Sequence, residues 1–179
     1  MIITLGTHKI EYPHLALAKG LTLFTGPSGS GKTTLLRALH GDLQNEEVKK
    51  MVDGMPSALM PQQNTWVPYL SMSEHLIHFG GLNAQDLAAQ LQLEVHLKKY
   101  PHQLSVGQLQ RFSLALTLSQ ELPLVLLDEP TSALDDDLAK IAFKLVEKYV
   151  TDFPEASLVA VTHDTRMKEY FSSAANWTL

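Results

Sequence analysis

Apolar positions along this chain follow two alternating rhythms. Short apolar-rich runs, several of them β-branched, occur at Ile2–Leu5, Leu21–Phe24, Ala58–Met60, Leu124–Leu127 and Ser157–Val161, and they predict strands. The last two runs have no polar alternation, as expected of central parallel strands covered on both faces. Between them lie stretches with apolar residues at three- and four-residue spacing, which predict helices at Thr33–His40, Ser73–Phe79, Ala84–Leu91, Gly107–Ser119, Asp136–Asp152 and Thr165–Phe171. Strand alternating with helix is the pattern of an α/β fold with a mostly parallel sheet. From about residue 63 to 104 no strand-like run appears and Leu, Ala, Gln and His dominate, so this stretch is expected to be a small helical subdomain inserted in the α/β core of one domain spanning 1–179. Val52-Asp53-Gly54 is expected to be the remnant of a hairpin in a reduced antiparallel region, and the final residues leave room for one edge strand.

One loop adds chemistry to this pattern. Gly26-Pro27-Ser28-Gly29-Ser30-Gly31-Lys32-Thr33 follows the Leu21–Phe24 run and leads through Thr34 into a predicted helix, and it fits G-x-x-x-x-G-K-[ST] at every fixed position. Glycines let successive backbone N–H groups turn toward an anion, and the helix behind them aims its positive end at the same point. Lys32 is then placed for β- and γ-phosphates and the Thr33 hydroxyl for Mg²⁺. A second candidate is Leu124–Leu127 followed by Asp128 and Glu129, a buried strand that delivers two carboxylates at its end. Asp128 suits Mg²⁺, and Glu129, projecting to the other side, suits activation of a water. A chance Gly/Ser turn and a strand ending in solvated acids are the bland alternatives; together the two motifs argue against both.

Charge and composition narrow the setting. Lys plus Arg is 14 and Asp plus Glu is 19 in 179 residues, a formal charge of −5, so no basic excess suggests nucleic acid as a partner. With no cysteine, neither disulfides nor a thiolate metal site enters. Met1–Gly6 is apolar but too short for a signal-peptide core, and no run reaches the roughly 20 apolar residues needed to span a bilayer. A cytoplasmic protein is expected, peripheral to the membrane only through a partner.

Further segments then identify a family resemblance. Asp128-Glu129-Pro130-Thr131-Ser132-Ala133-Leu134-Asp135 resembles the strand end and following loop of ATP-binding cassette (ABC) ATPases. Leu104-Ser105-Val106-Gly107-Gln108, continued by Gln110-Arg111, resembles their signature motif. Val159–Asp164 resembles the switch-histidine segment, and Met60-Pro61-Gln62 the glutamine loop. All occur in the family's order over nearly the whole chain. The resemblance implies the ATP-binding subunit of an ABC transporter, with ATP and Mg²⁺ as ligands. It assigns Glu129, His163 and Gln62 to hydrolysis, Thr33, Gln62 and Asp128 to Mg²⁺, and Gly26 through Thr34 to the phosphates. It also implies that Ser105, Gly107, Gln108 and Asp135 face the nucleotide of a second ABC ATPase subunit, in a homo- or heterodimer. Asp135 has an alternative role as a helix N-cap, and Gln63 is an alternative to Gln62. The other histidines (His8, His14, His40, His75, His78, His96 and His102) are read as surface or packing residues.

The segment from Gln62 to Leu76, with Trp66 and Tyr69, resembles the stretch that receives a membrane-spanning transporter subunit, although either aromatic would serve equally well to pack the helical insertion. Three features depart from the family pattern. Val106 stands where a glycine is usual; a β-branched residue resists φ > 0 and adds bulk near the second subunit's phosphate, so weakened or altered ATP sandwiching is expected. The strand region before the phosphate loop is compressed, leaving Tyr12 as the nearest candidate to stack on adenine, with packing as the alternative. The tail leaves no room for a regulatory domain. The alternative functions are a soluble ABC-type switch acting on another macromolecule and a weakly active nucleotide-gated scaffold. A nucleotide kinase would leave the signature segment and Asp135 unexplained.

Overall fold

The computed structural model describes residues 2–5, 8–12, 17–63 and 65–179, with the side chains at 4, 5 and 8 excepted. His14, Asn64 and the His8 side chain therefore lie outside the described residues. A small antiparallel pair, β1 (Ile2–Leu5) and β2 (His8–Glu11), precedes a five-stranded parallel sheet. The sheet contains β3 (Gly20–Thr25), β4 (Ser57–Met60), β5 (Leu124–Asp128), β6 (Ser157–Thr162) and β7 (Ala175–Thr178), in the order β4-β5-β6-β3-β7. Helices α1 (Lys32–His40), α2 (Glu46–Val52), α3 (Met72–Phe79), α4 (Ala84–Gln90), α5 (Val106–Leu118), α6 (Asp136–Asp152) and α7 (Thr165–Tyr170) connect the strands.

The uninterrupted apolar strands have a simple cause. Alternate residues of a strand face opposite sides, and both sides of this sheet are covered. Leu124 and Leu126 of β5 pack with Leu35, Leu36 and Leu39 of α1, while Val125 and Leu127 join the core that holds Phe112 of α5 and Phe143 of α6. In β6, Val159 and Val161 go to the first side, Leu158 and Ala160 to the second. Every residue of β5 and β6 is buried.

The parallel register brings four strand ends to one edge. Thr25 pairs with Thr162, Asp128 with Val161, and Met60 with Leu127. The phosphate-loop candidate, Glu129, His163 and Gln62 all follow these ends directly, so a single edge of the sheet gathers them.

Three expectations are corrected. Val52-Asp53-Gly54 is no hairpin remnant: Val52 closes α2, and Asp53 ends it in the left-handed conformation at φ 43°. Asn45 starts that helix by accepting from the Glu47 and Val48 N–H groups, with Glu46 and Glu47 in the first turn and Lys49 and Lys50 in the last, each sign where the helix dipole favours it. Val106 is the first residue of α5 in ordinary helical geometry; the described non-glycine residues with positive φ are Asp53, Gln92, Glu121 and Glu129. The expected φ conflict at Val106 therefore does not arise. Tyr12 is buried, at 4% exposure, and offers no open ring face to an adenine.

Candidate functional site

A cavity of about 390 Å³ opens at the gathered strand ends, lined by Ile10, Ser28, Gly29, Gly31, Lys32, Thr33, Thr34, Gln62, Asp128, Glu129 and His163. The loop is shaped by its backbone. Gly31 caps α1 at φ 94°, and a Cβ there would lie 2.7 Å from the Tyr12 hydroxyl and 2.9 Å from Ile10. Only glycine fits the conformation and the space together. The Tyr12 hydroxyl donates to the Gly31 carbonyl at 2.8 Å. Burial pushes that phenol up to about 12, with a hydrogen bond to Thr34 opposing the shift. Tyr12 thus braces the loop from behind, and Ile10, on the same strand pair, supplies apolar wall.

The loop's donors suit an anion. The N-terminus of α1 carries no side-chain cap, so its orphan N–H groups point outward. Lys32 is 8% exposed and donates from Nζ to the Gly26 and Pro27 carbonyls, both at 2.9 Å. Those neutral acceptors are weaker partners than phosphate oxygens. Among the described residues the Ser30 hydroxyl is buried without a hydrogen-bond partner, and Ser30 does not line the cavity.

The acids differ in environment. Burial raises the Asp128 carboxyl above its ordinary range; a Thr33 hydrogen bond and the Lys32 charge oppose the shift, and the neighbouring Glu129 charge adds to it. Asp128, Thr33 and Gln62 all line the cavity, and a carboxylate, a hydroxyl and an amide can supply the all-oxygen donor set that fits Mg²⁺. Glu129 is 4% exposed at φ 52°. Its carboxylate accepts from the Thr162 hydroxyl at 3.0 Å, from the His163 N–H at 3.2 Å and from His163 Nδ1 at 2.7 Å. With Nδ1 committed to Glu129, Nε2 is the ring nitrogen left to face a ligand.

Other candidate residues lie elsewhere. Ser105, Gly107, Gln108 and Asp135 do not line this cavity. Ser105 caps α5 through a reciprocal pair with Gln108, accepting at 3.2 Å and donating at 2.9 Å. Asp135 caps α6 by accepting from the Leu138 N–H at 2.9 Å while remaining exposed. Gln63 lines an adjoining groove with Gln62 and does not reach the cavity. Trp66 is half-buried and meets the buried His75 edge-on at 5.2 Å, so it packs against α3, whereas Tyr69 is 77% exposed.

Two residues carried no signal of their own in the sequence. Ile10 belongs to a strand too short and too mixed to be distinguished by pattern. Arg166 donates to Asp164, Asp136 and the Leu134 carbonyl, fastening the 131–136 loop to the segment after β6. Burial pushes the Asp164 carboxyl up, but its hydrogen bonds from Arg166 and Thr131 outweigh burial and hold it below the ordinary range.

Comparison with known proteins gives concordant matches. The profile of the ABC transporter family matches residues 14–132. The chain is 36% identical, over 87% of its length, to the Fe(3+) ions import ATP-binding protein FbpC of Serratia marcescens, but it spans only 51% of that relative. It is 34% identical to the thiamine import ATP-binding protein ThiQ of Photobacterium profundum, covering 87% of this chain and 72% of that one. A dimeric ATP-binding cassette in a post-hydrolysis state, bound to ADP and phosphate, superposes with a TM-score of 0.74 at 25% identity, over 94% of this chain and 87% of that one.

Proposed function

Because this chain belongs to the ABC transporter family, we propose that it is the ATP-binding and ATP-hydrolysing subunit of an ABC transporter, paired around Mg-ATP with a second such subunit. The observation that carries the proposal is the convergence of Lys32, Gln62, Asp128, Glu129 and His163 on one cavity behind an uncapped helix N-terminus.

Lys32 exchanges its two backbone carbonyls for phosphate oxygens, while the loop N–H groups and the N-terminus of α1 bind the same anion. Thr33, Asp128 and Gln62 would hold Mg²⁺, which when bound neutralises phosphate charge. Glu129 takes the proton of an attacking water. Its carboxylate is buried and aimed by Thr162 and His163, so orientation costs little at the moment of reaction. His163 Nε2 meets the γ-phosphate side.

Ser105, Gly107, Gln108 and Asp135 stand outside the chain's own cavity, which supports their use on a second subunit's nucleotide across a two-fold axis. Loss of the γ-phosphate would then loosen the pair and move a membrane partner docked near Gln62–Leu76, where Tyr69 is exposed. We read 63–104 as the helical insertion that carries this docking face. The import roles of the iron and thiamine relatives favour an importer. No nucleic-acid partner is expected.

Sedimentation velocity of Glu129→Gln tests the pairing. Saturating Mg-ATP should shift the chain from monomer to dimer, and ADP should reverse it. A monomer under both conditions, without rescue by any companion ATPase subunit, would refute the pairing.

A further inference from the structure

Glu129 hangs between two elements. One is β6, which supplies the Val161 carbonyl to the Glu129 N–H at 2.9 Å and holds the carboxylate through Thr162 and His163. The other is α5. Gln110 of that helix, 8% exposed, donates from Nε2 to the Glu129 carbonyl at 2.8 Å and to the Ser132 hydroxyl at 3.0 Å. Its Oε1 accepts from the Ala133 N–H at 3.0 Å. One amide thereby satisfies both ends of the tight loop that follows β5. A turn earlier on α5, a Cβ at Gly107 would lie 2.7 Å from the Ala133 carbonyl, so helix and loop touch there without a side chain between them.

Gln110 does not line the nucleotide cavity and touches no reacting group. What it touches is the backbone of Glu129, whose positive φ is rare for a residue with a side chain and persists only where the surroundings enforce it. The exposed N-terminal end of the same helix carries Ser105 and Val106. Any displacement of α5 must therefore shift the Glu129 carbonyl or break the Gln110 hydrogen bonds, of which the one to that carbonyl is buried.

We propose that Gln110 is a positioning residue that makes α5 and the Glu129 loop move as one, so that engagement at the N-terminal end of α5 is transmitted to the water-activating carboxylate. This rests on the hydrolytic reading of Glu129. It gives α5 a role toward its own chain's carboxylate, in addition to any role at a partner's nucleotide.

Gln110→Ala and Gln110→Met test it, the second filling the space while removing all three hydrogen bonds. Steady-state phosphate release at varied Mg-ATP should show kcat at least tenfold lower, with KM and ADP affinity within twofold of wild type. Hydrogen exchange at the Ala133 amide should quicken at the same time. Unchanged kcat and exchange, a matching loss of nucleotide affinity, or loss of the thermal transition in both variants would overturn the proposal, because a merely structural residue behaves in those ways. If wild type itself releases no phosphate beyond Glu129→Gln, the hydrolytic reading has failed, and unaltered exchange then also rejects the link to α5.

Discussion

At the scale of single residues, Tyr12 separates two chemistries that are easily confused. An adenine-stacking ring needs an open face and keeps its value when Tyr becomes Phe. A brace needs the hydroxyl, and here that hydroxyl holds the Gly31 carbonyl at 2.8 Å. Tyr12→Phe should therefore raise the ATP dissociation constant about three- to tenfold, the worth of roughly one hydrogen bond. Fluorescence titration decides it; an unchanged constant would restore the stacking role. Burial pushes the phenol from its ordinary 10.0 up to about 12. The stability tied to its neutral form is thus fully present below about pH 10 and is lost as pH rises toward about 12. Asp128 carries the opposite tension between use and stability. Burial raises its carboxyl above the ordinary range, so the folded chain binds this proton more tightly than the unfolded one. Near neutrality the ionised group costs stability, and the cost shrinks as pH falls through its raised pKa. Asp128→Asn should raise Tm by about 2–4 °C in the absence of nucleotide while abolishing Mg-dependent phosphate release. A lower Tm would show that the Thr33 contact outweighs burial.

At the scale of elements, legibility followed periodicity. β5, β6 and α6 were plain in the sequence because burial on both sheet faces, or one apolar stripe on a long helix, leaves a pattern that local context does not disturb. Asp136–Asp152 was predicted to the residue. The β2 strand and α2 were missed for different reasons. His8–Glu11 is one short polar-apolar alternation, and its pairing with β1 is a tertiary fact. For α2 the Asn45 cap and the acid-then-base order are present in the sequence, but they span only seven residues and their end, Val52-Asp53-Gly54, is read as a hairpin remnant. In the site, residues on strand ends and the phosphate loop were readable because their chemistry is tied to fixed spacing. The Tyr12, Gln110 and Arg166 contacts were not, since each joins positions far apart in the chain. At Val106 the φ conflict falls away and the added bulk remains. Val106 begins α5 at 73% exposure, beside a groove of about 370 Å³ lined with Trp66, Leu109, Gln110, Ser132 and Ala133. Its effect must then come from apolar bulk beside Ser105 rather than backbone strain. Val106→Gly should increase ATPase rate or ATP-dependent dimerisation severalfold, although glycine weakens the first turn by about 0.5–1 kcal/mol. Unchanged values in both measurements would show that the bulk is harmless.

At the scale of the whole molecule, parallel strand order explains why distant segments act together. The β4-β5-β6-β3 neighbours deliver Gln62, Glu129, His163 and the phosphate loop to one edge. No helix among the described residues is long and apolar enough to cross a membrane. The 131–136 loop, held by Gln110 on one side and Arg166 on the other, links the nucleotide cavity to the exposed ends of α5 and α6. Those ends carry Ser105, Gly107, Gln108 and Asp135, which are proposed to face a second subunit's nucleotide. The most direct measurement is phosphate release from Mg-ATP by the purified chain, alone or with its companion subunits, beside Glu129→Gln. A wild-type rate at least a hundredfold above Glu129→Gln, with both binding ATP equally, is the predicted result; equal rates at equal nucleotide occupancy would contradict the assignment of hydrolysis to this cavity.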